Sequence, residues 1–250
     1  MSPKTQSSGG SKELSELARQ AAGCELCPQL VQSRTQVVFG SGPADAALML
    51  VGEAPGASED REGLPFVGAS GRLLDTLLGG IGLSREEVFI ANVLKCRPPE
   101  NRDPKPEEVA NCSPWLERQL GIVDPAVVVT LGNFATRLLR GDPAPIGKVR
   151  GRPEIASVGS RQVRLFPVFH PAAALYRRPN LEVLEADFAA IPGLLALGPP
   201  EQLPAVTVEV AGGGAAGTRP TEEGTPSGAG SGEAAGRPEG PGGDSQLGLF

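Results

Sequence analysis

Short apolar runs alternate along this chain with segments in which apolar residues recur at helical spacing. Four runs, at residues 46–51, 88–93, 126–131 and 163–169, predict buried strands. Helical spacing predicts helices over residues 12–22, 71–78, 106–120, 133–139 and 181–190. Because strands alternate with helices, the pattern predicts an α/β fold around a mostly parallel, four-stranded sheet. Residues 148–168 also predict a hairpin, with Gly159 at its turn.

Composition divides the chain into three parts. Residues 211–250 contain 13 glycines and 4 prolines, and they bury too little apolar surface to offset the entropy of folding. The predicted organisation is a flexible leader at residues 1–10, one domain at 11–198 and a disordered tail at 199–250. The tail has seven acids and two bases, so the domain is nearly neutral although the whole chain carries −6. A nearly neutral domain can still present a local basic surface.

The chain has no apolar run long enough to span a membrane, and residues 1–11 lack an apolar signal segment. We therefore expect a cytoplasmic protein with no membrane partner. In that compartment, four cysteines indicate metal binding or catalysis rather than disulfides.

The cysteines have a distinctive spacing. Cys24 and Cys27 form a C-x2-C pair, whereas fifteen residues separate Cys96 from Cys112. Four thiolates suit either zinc or an iron–sulfur cluster. Structural zinc sites usually use two closely spaced pairs, so the wide second pair favours a 4Fe-4S cluster. The alternative is four unrelated buried thiols.

Residues able to take part in chemistry follow all four predicted strands. In strand order they are Gly52 and Glu53, Asn92, Gly132 and Asn133, and His170, the only histidine. Ligands of open α/β sheets bind outside the carboxyl ends of the strands, so these residues are predicted to converge on one rim. Each also has a structural interpretation: glycine makes turns, an acid can be solvated, and a single histidine is often structural. Phe66, in a glycine-rich loop, is either a core residue or a stacking platform for a flat ligand.

Four separated motifs then carry a family resemblance. They are Gly52-Glu53-Ala54-Pro55-Gly56 with Glu59-Asp60, Pro65-Phe66-Val67-Gly68 with Gly71, Asn92-Val93-Leu94-Lys95-Cys96-Arg97-Pro98-Pro99, and His170-Pro171-Ala172-Ala173. Together with the four cysteines they span about residues 14–195, and they resemble the type-4 uracil-DNA glycosylases, bacterial and archaeal enzymes with an iron–sulfur cluster. The long tail is a departure, because the family does not require it.

The resemblance implies a three-layer α/β/α fold and a DNA-repair enzyme. The reaction would be hydrolysis of the N-glycosidic bond of deoxyuridine in DNA, which releases uracil and leaves an abasic site. We expect a monomer associated with the nucleoid. The implied ligands of a 4Fe-4S cluster are Cys24, Cys27, Cys96 and Cys112.

The resemblance also assigns the uracil pocket. The backbone of Gly52, Glu53 and Ala54 would line it, Phe66 would stack on the base, and Asn92 would read its edge. A carboxamide matches the N–H and carbonyl of uracil, but rotated it matches cytosine, so neighbours must fix its orientation.

Cleavage leaves negative charge on the base and positive character on the sugar. His170 would hydrogen-bond the base oxygen nearest the breaking bond, where a donor is worth about 3–4 kcal/mol. A carboxylate would stabilise the sugar or orient the attacking water, and Glu53, Glu59 and Asp60 are the candidates.

Contact with DNA requires cations and, in many proteins, an apolar wedge. Leu175 and Tyr176 are the candidate wedges. The candidate phosphate contacts are Lys95, Arg97, Arg102 and Lys105, then Lys148, Arg150 and Arg152, then Arg177 and Arg178. A solvated surface is the alternative for these scattered charges.

The end of the chain resembles the short peptide by which bacterial repair and replication proteins bind the sliding clamp. Its candidate anchors are Gln246, Leu247, Leu249 and Phe250. A flexible linker of about 40 residues would let a clamp-bound enzyme search nearby DNA at high effective concentration. A chance apolar end is the alternative.

Other functions remain open at this stage. A non-enzymatic iron–sulfur protein, for electron transfer or DNA sensing, would keep the cysteines but would not need Phe66, Asn92 and His170 around one pocket. A glycosylase with broader base choice would differ in pocket shape. A nucleotide-binding phosphate loop is disfavoured, because residues 52–56 have neither the spacing nor the lysine of that motif.

Overall fold

The computed structural model describes residues 8–202 of the chain. Its centre is one five-stranded sheet in the order β2-β1-β3-β5-β4. The strands are β1 Leu48–Gly52, β2 Phe89–Asn92, β3 Val127–Leu131, β4 Glu154–Val158 and β5 Arg161–Val168. All neighbouring strands pair in parallel except β4, which is antiparallel to β5.

The four predicted strands are confirmed, but the sheet has a fifth strand. The predicted hairpin supplies it: β4 and β5 are joined at Gly159, whose φ of +57° suits glycine. As an edge strand, β4 exposes alternate residues such as Ile155 and Ser157. It therefore lacks the continuous apolar run that marks the other four strands.

Nine α-helices accompany the sheet within residues 8–202. They are α1 Ser8–Ala22, α2 Pro28–Ser33, α3 Ala57–Glu62, α4 Ala69–Gly80, α5 Pro106–Val123, α6 Asn133–Arg140, α7 Ile146–Val149, α8 Pro171–Leu175 and α9 Arg178–Ala196. The five predicted helices are confirmed with shifted ends, and α1 begins at Ser8, inside the predicted leader. The other four have four to six residues, too short to show helical periodicity.

The core lies on both faces of the sheet. Alternate β1 residues point to opposite sides: Leu48 and Leu50 pack in one cluster, and Met49 and Val51 in another. The first cluster includes residues of α4, α8 and α9, and the second includes residues of α1, α5 and α6. The arrangement is the expected three-layer α/β/α fold.

Within residues 8–202, no helix is both long and apolar enough to cross a membrane.

Candidate active site

The carboxyl ends of the parallel strands bring the predicted site residues to one rim of the sheet. Gly52 and Asn92 are register partners at the ends of β1 and β2. Gly132, which follows β3, is so close to His170 that a Cβ on it would lie 3.0 Å from the histidine Cβ. The rings of Phe66 and His170 are stacked, with centroids 5.6 Å apart and planes at 29°. Phe66, Asn92 and His170 therefore line the same region, which the strand pattern predicted for Asn92 and His170.

Gly52 forms the floor between two of these side chains. A Cβ at this position would lie 2.4 Å from Asn92 Oδ1 and 2.7 Å from Phe66 Cζ. Both distances are shorter than real Cβ contacts, so any side chain here would displace the amide or the ring. The absence of a side chain leaves space between them.

Phe66 is held in a strained backbone conformation, with φ of +54°. Arg85 fixes this loop, since its guanidinium donates to the carbonyl oxygens of Pro65 at 2.8 Å and Phe66 at 2.6 Å. Gly71 permits a close approach, because a Cβ there would lie 1.7 Å from the Phe66 carbonyl oxygen. These contacts fix the backbone of the Phe66 loop, from which the ring stacks on His170.

Asn92 carries an unpaired acceptor. Its side chain is only 2% exposed, and its Oδ1 has no hydrogen-bond partner among residues 8–202. An unpaired buried acceptor costs about 1–3 kcal/mol, so such atoms are rare in folded proteins. This oxygen lies beside the Phe66 ring tip, across the Gly52 position. A ligand N–H between ring and amide would satisfy it.

His170 is neutral with a defined tautomer. It precedes α8, and its Nδ1 accepts from the backbone N–H of Ala172 at 3.1 Å, so the proton resides on Nε2. Burial lowers the pKa of His170 to about 4, despite the opposing effect of the Glu59 charge. The imidazole is therefore an uncharged Nε2–H donor at neutral pH.

Two of the three candidate carboxylates are engaged in holding backbone. Glu59 accepts from the N–H groups of Gly56 at 3.1 Å, Val67 at 3.1 Å and Gly68 at 3.0 Å. Asp60 is 3% exposed, and both its oxygens accept from the N–H of Thr35. These acids fix the loops around the pocket.

Glu53 is the third candidate. Its backbone is fixed by the neighbouring strand connection, because its carbonyl accepts from Leu94 N–H at 3.0 Å. Its side chain is partly buried, and burial, followed by the nearby Asp103 charge, raises the pKa of its carboxyl. No hydrogen bond engages this carboxylate in holding a described loop in the way that Glu59 and Asp60 are engaged.

The four cysteines line a single cavity, which is also bordered by Arg34, Lys95 and Trp115. N–H groups point at three of the sulfurs: Arg34 at Cys96 (3.1 Å), the Lys95 backbone at Cys112 (3.2 Å) and Asn111 at Cys27 (3.6 Å). Burial raises the pKa of these three thiols, that of Cys112 to about 11. Within residues 8–202, no three His, Cys, Asp or Glu side chains are placed closely enough to hold a single metal ion.

The structure corrects part of the predicted phosphate-binding set. Lys95 is 2% exposed, and its ammonium donates to the Asn92 carbonyl at 2.7 Å and to Gln119 Oε1 at 2.5 Å. Arg102 pairs with Glu108, and Arg150 pairs with Asp187. A sequence motif cannot show whether a cation points inwards, so Lys95 was misassigned. Arg102 and Arg150 remain partly exposed, and their contact with phosphate stays a prediction.

Other predicted DNA contacts are on the surface. Lys148, Arg152 and Arg178 are exposed, as are Leu175 and Tyr176, the latter at 84%. Both apolar residues come directly after the His170 motif. The roles of Arg34, Arg85 and Gln119 in fixing their neighbours have no signal in the sequence, because their partners lie many residues away in the chain.

Comparison with known proteins assigns the class. The family model of the Uracil DNA glycosylase superfamily matches residues 39–190, and the chain belongs to that superfamily. A type-4 uracil-DNA glycosylase of Sulfurisphaera tokodaii is 46% identical over 184 residues, which cover 71% of this chain and 83% of the relative. The type-4 uracil-DNA glycosylase of Saccharolobus solfataricus is 44% identical over 180 residues, 70% of this chain and 83% of the relative.

A type-5 uracil-DNA glycosylase is less similar. The protein from Thermus thermophilus is 35% identical over 147 residues, which cover 46% of this chain and 67% of the relative. The comparisons thus agree with the motif resemblance, and the type-4 relatives match a larger share of the chain.

Proposed function

We propose that this chain is a DNA-repair uracil-DNA glycosylase that hydrolyses the N-glycosidic bond of deoxyuridine, releases uracil and leaves an abasic site. The observation that best supports this activity is the unpaired Oδ1 of Asn92. It is buried beside the Phe66 ring, at the same edge of the sheet as His170. The superfamily match and the type-4 relatives support the same activity.

The pocket suits a flipped uracil. An enzyme acting on a paired base must extrude it, and a π surface such as Phe66 offsets part of the lost stacking. The unpaired Asn92 Oδ1 accepts the N3–H of uracil. Cytosine has a lone pair at the same ring nitrogen, so with Oδ1 in this orientation two acceptors would face each other. The buried oxygen therefore favours uracil over cytosine.

Cleavage transfers the bonding electron pair to the base, and water adds to the sugar carbon. His170 is a neutral donor at Nε2, suited to hydrogen-bond the uracil oxygen where negative charge develops. Neutrality avoids moving a charged imidazolium out of water into a buried site. Because the base leaves as an anion, a fixed donor is more effective in the transition state than in the ground state.

Glu53 is our choice for the carboxylate that stabilises the sugar or orients water. Glu59 and Asp60 already accept backbone N–H groups, and turning either towards a substrate would leave buried donors unpaired. Glu53 directly follows the Gly52 floor, so it lies at the same rim.

DNA binding is assigned to the surface around the His170 motif. Leu175 and Tyr176 are exposed apolar residues, and exposed cations accompany them at Arg178 in the next helix and at Lys148 and Arg152. Phosphates would contact the cations, and one of the apolar residues would fill the gap left by the flipped base.

A 4Fe-4S cluster fits the cysteine cavity. Four sulfurs surround one space, and three of them receive N–H groups, which stabilise the thiolate charge that cluster ligands carry. When bound, the cluster would cross-link Cys24 and Cys27 of the N-terminal segment to Cys96 and Cys112. We assign it a structural role, because none of the four cysteines lies among the pocket residues Phe66, Asn92 and His170.

We also propose that the enzyme works as a cytoplasmic, nucleoid-associated monomer, and that residues 246–250 bind the sliding clamp. Those residues lie outside the part of the chain that the structure describes. Support for clamp binding comes from the sequence alone, namely the glutamine and paired apolar anchors at the end of a glycine-rich linker.

An excision assay distinguishes this proposal from a non-enzymatic iron–sulfur protein. Purified, cluster-loaded protein is incubated with a labelled oligonucleotide holding one uracil, and alkali then cleaves any abasic site. Parallel substrates carry thymine, hypoxanthine or a G·T mismatch in place of uracil. We expect cleavage at uracil. Its absence from protein with the full brown absorbance of the cluster would favour the non-enzymatic function.

A further inference from the structure

A five-residue segment, Asn92 to Cys96, connects the uracil pocket with the cysteine cavity. Its first residue carries the unpaired pocket oxygen, and its last lines the cavity. Two hydrogen bonds join this segment to the end of β1. Val93 N–H donates to the Gly52 carbonyl at 2.9 Å, and Leu94 N–H donates to the Glu53 carbonyl at 3.0 Å. A shift of this segment would therefore displace residues of both the uracil pocket and the cysteine cavity.

Lys95 lies inside this segment and contacts both sides. Its ammonium turns back to donate to the Asn92 carbonyl at 2.7 Å, and it also donates to Gln119 Oε1 at 2.5 Å. Its backbone N–H points at Cys112 Sγ at 3.2 Å. Gln119 is itself fixed, because its Nε2 donates to the Phe39 carbonyl at 2.9 Å.

A buried ammonium requires an explanation. Removing a charge from water is unfavourable, and an unbranched apolar side chain such as methionine would fill the same space without that cost. What methionine cannot supply is donors directed at two buried acceptors. One of these acceptors is the carbonyl of Asn92, the residue proposed to read uracil, so the ammonium holds the backbone of that residue.

We propose that Lys95 is a positioning residue for uracil recognition, which holds Asn92 in place through its carbonyl and anchors it to helix α5 through Gln119. This inference rests on the proposed uracil-excising function. Lys95 does not touch the base; it acts through Asn92. Lys95 is thus a further determinant of base specificity, and it belongs neither to the residues that line the pocket nor to the four cysteines.

The test replaces Lys95 with methionine (Lys95→Met) and uses Lys12→Met, an exposed lysine of α1, as the matched control. Three quantities are compared with the wild type in cluster-loaded protein: the single-turnover excision rate, inhibition by free uracil, and affinity for a uracil-free oligonucleotide. We expect Lys95→Met to slow excision and weaken uracil inhibition at least tenfold each, with affinity for uracil-free DNA unchanged. Lys12→Met should match the wild type in all three.

A merely structural lysine would lower the melting temperature and leave uracil inhibition, measured well below that temperature, unaltered. Uracil inhibition of Lys95→Met within twofold of the wild type would overturn the proposal. If Lys95→Met does not fold or does not retain iron, Gln119→Leu decides, since it keeps Lys95 and removes its second acceptor, together with the Nε2 donor to the Phe39 carbonyl. We expect at least threefold weaker uracil inhibition, and unchanged inhibition would again overturn the inference. Failure of the proposed function itself is recognised separately, because the wild type would then release no uracil.

Discussion

At the scale of single residues, the site depends on what is missing or unpaired as much as on what is present. Gly52 lacks a side chain where one would meet Asn92 and Phe66, and Asn92 Oδ1 has no donor among residues 8–202. His170 is uncharged because burial outweighs its attraction to Glu59. Each feature has a measurable consequence.

Replacing Gly52 by alanine should nearly abolish excision. The new methyl group would lie 2.4 Å from Asn92 Oδ1 and 2.7 Å from Phe66 Cζ, so both must move. Displacement of about 1 Å costs about 100-fold in rate, and we expect a loss of at least that size under single-turnover conditions. Gly79→Ala in α4 is the control, because a Cβ there meets nothing within 4 Å. Normal activity of Gly52→Ala would show that the base does not bind between ring and amide.

His170 should remain neutral through the physiological range. With its pKa lowered to about 4, it gains a proton only well below the usual value near 6.5. The unfolded chain binds that proton at about 6.5, so His170 makes folding less favourable as the pH falls from 6.5 towards 4. As the chain has one histidine, NMR of labelled imidazole reports on it alone. We expect no titration between pH 8 and 5.5; a midpoint near 6.5 would contradict the buried, neutral donor.

At the scale of elements, short segments position the site. Helix α3 has six residues, yet its Glu59 connects Gly56 to the loop that carries Phe66. Arg85, from the turn before β2, holds the other side of that loop through the carbonyls of Pro65 and Phe66. The stacking ring is thus fixed by its backbone rather than by side-chain packing alone.

Glu59→Gln should weaken both the fold and excision. A neutral amide has one acceptor oxygen where the carboxylate has two, so at least one of the three N–H groups loses its partner. We expect a loss of about 1–3 kcal/mol in unfolding free energy, and slower excision because the Phe66 loop loosens. Glu62→Gln, on the exposed side of the same helix, should be nearly silent. Thermal melting and single-turnover rates measure the two effects, and equal behaviour of both variants would refute this role for Glu59.

At the scale of the whole molecule, the sequence predicted the layers and the rim but not the internal contacts. Continuous apolar runs marked β1, β2, β3 and β5, and parallel pairing then brought Gly52, Asn92 and His170 to one edge. The edge strand β4 was predicted only as part of a hairpin, because exposed residues alternate along it and interrupt its apolar pattern. The contacts of Glu59 and Lys95 could not be predicted for a different reason: their partners are fixed by loop geometry and burial, which no local pattern encodes.

The end of the chain offers a test that is independent of the active site. Deleting residues 246–250 should abolish binding to a bacterial sliding clamp, because the apolar anchors Leu247, Leu249 and Phe250 are lost. Uracil excision on short oligonucleotides should be unchanged. Clamp affinity can be measured by surface plasmon resonance, with a scrambled pentapeptide as the control. Equal affinity of the full-length and deleted proteins would contradict the clamp prediction.

The central claim is that the pocket reads and removes uracil through Asn92. The most direct measurement is the single-turnover excision rate on two oligonucleotides that differ only in carrying uracil or cytosine, for the cluster-loaded wild type and Asn92→Leu. We predict that the wild type removes uracil and not cytosine, and that Asn92→Leu, which cannot accept the N3–H, removes uracil at least about 100-fold more slowly. Wild-type protein that removes both bases equally, or an Asn92→Leu variant as fast as the wild type, would contradict the account.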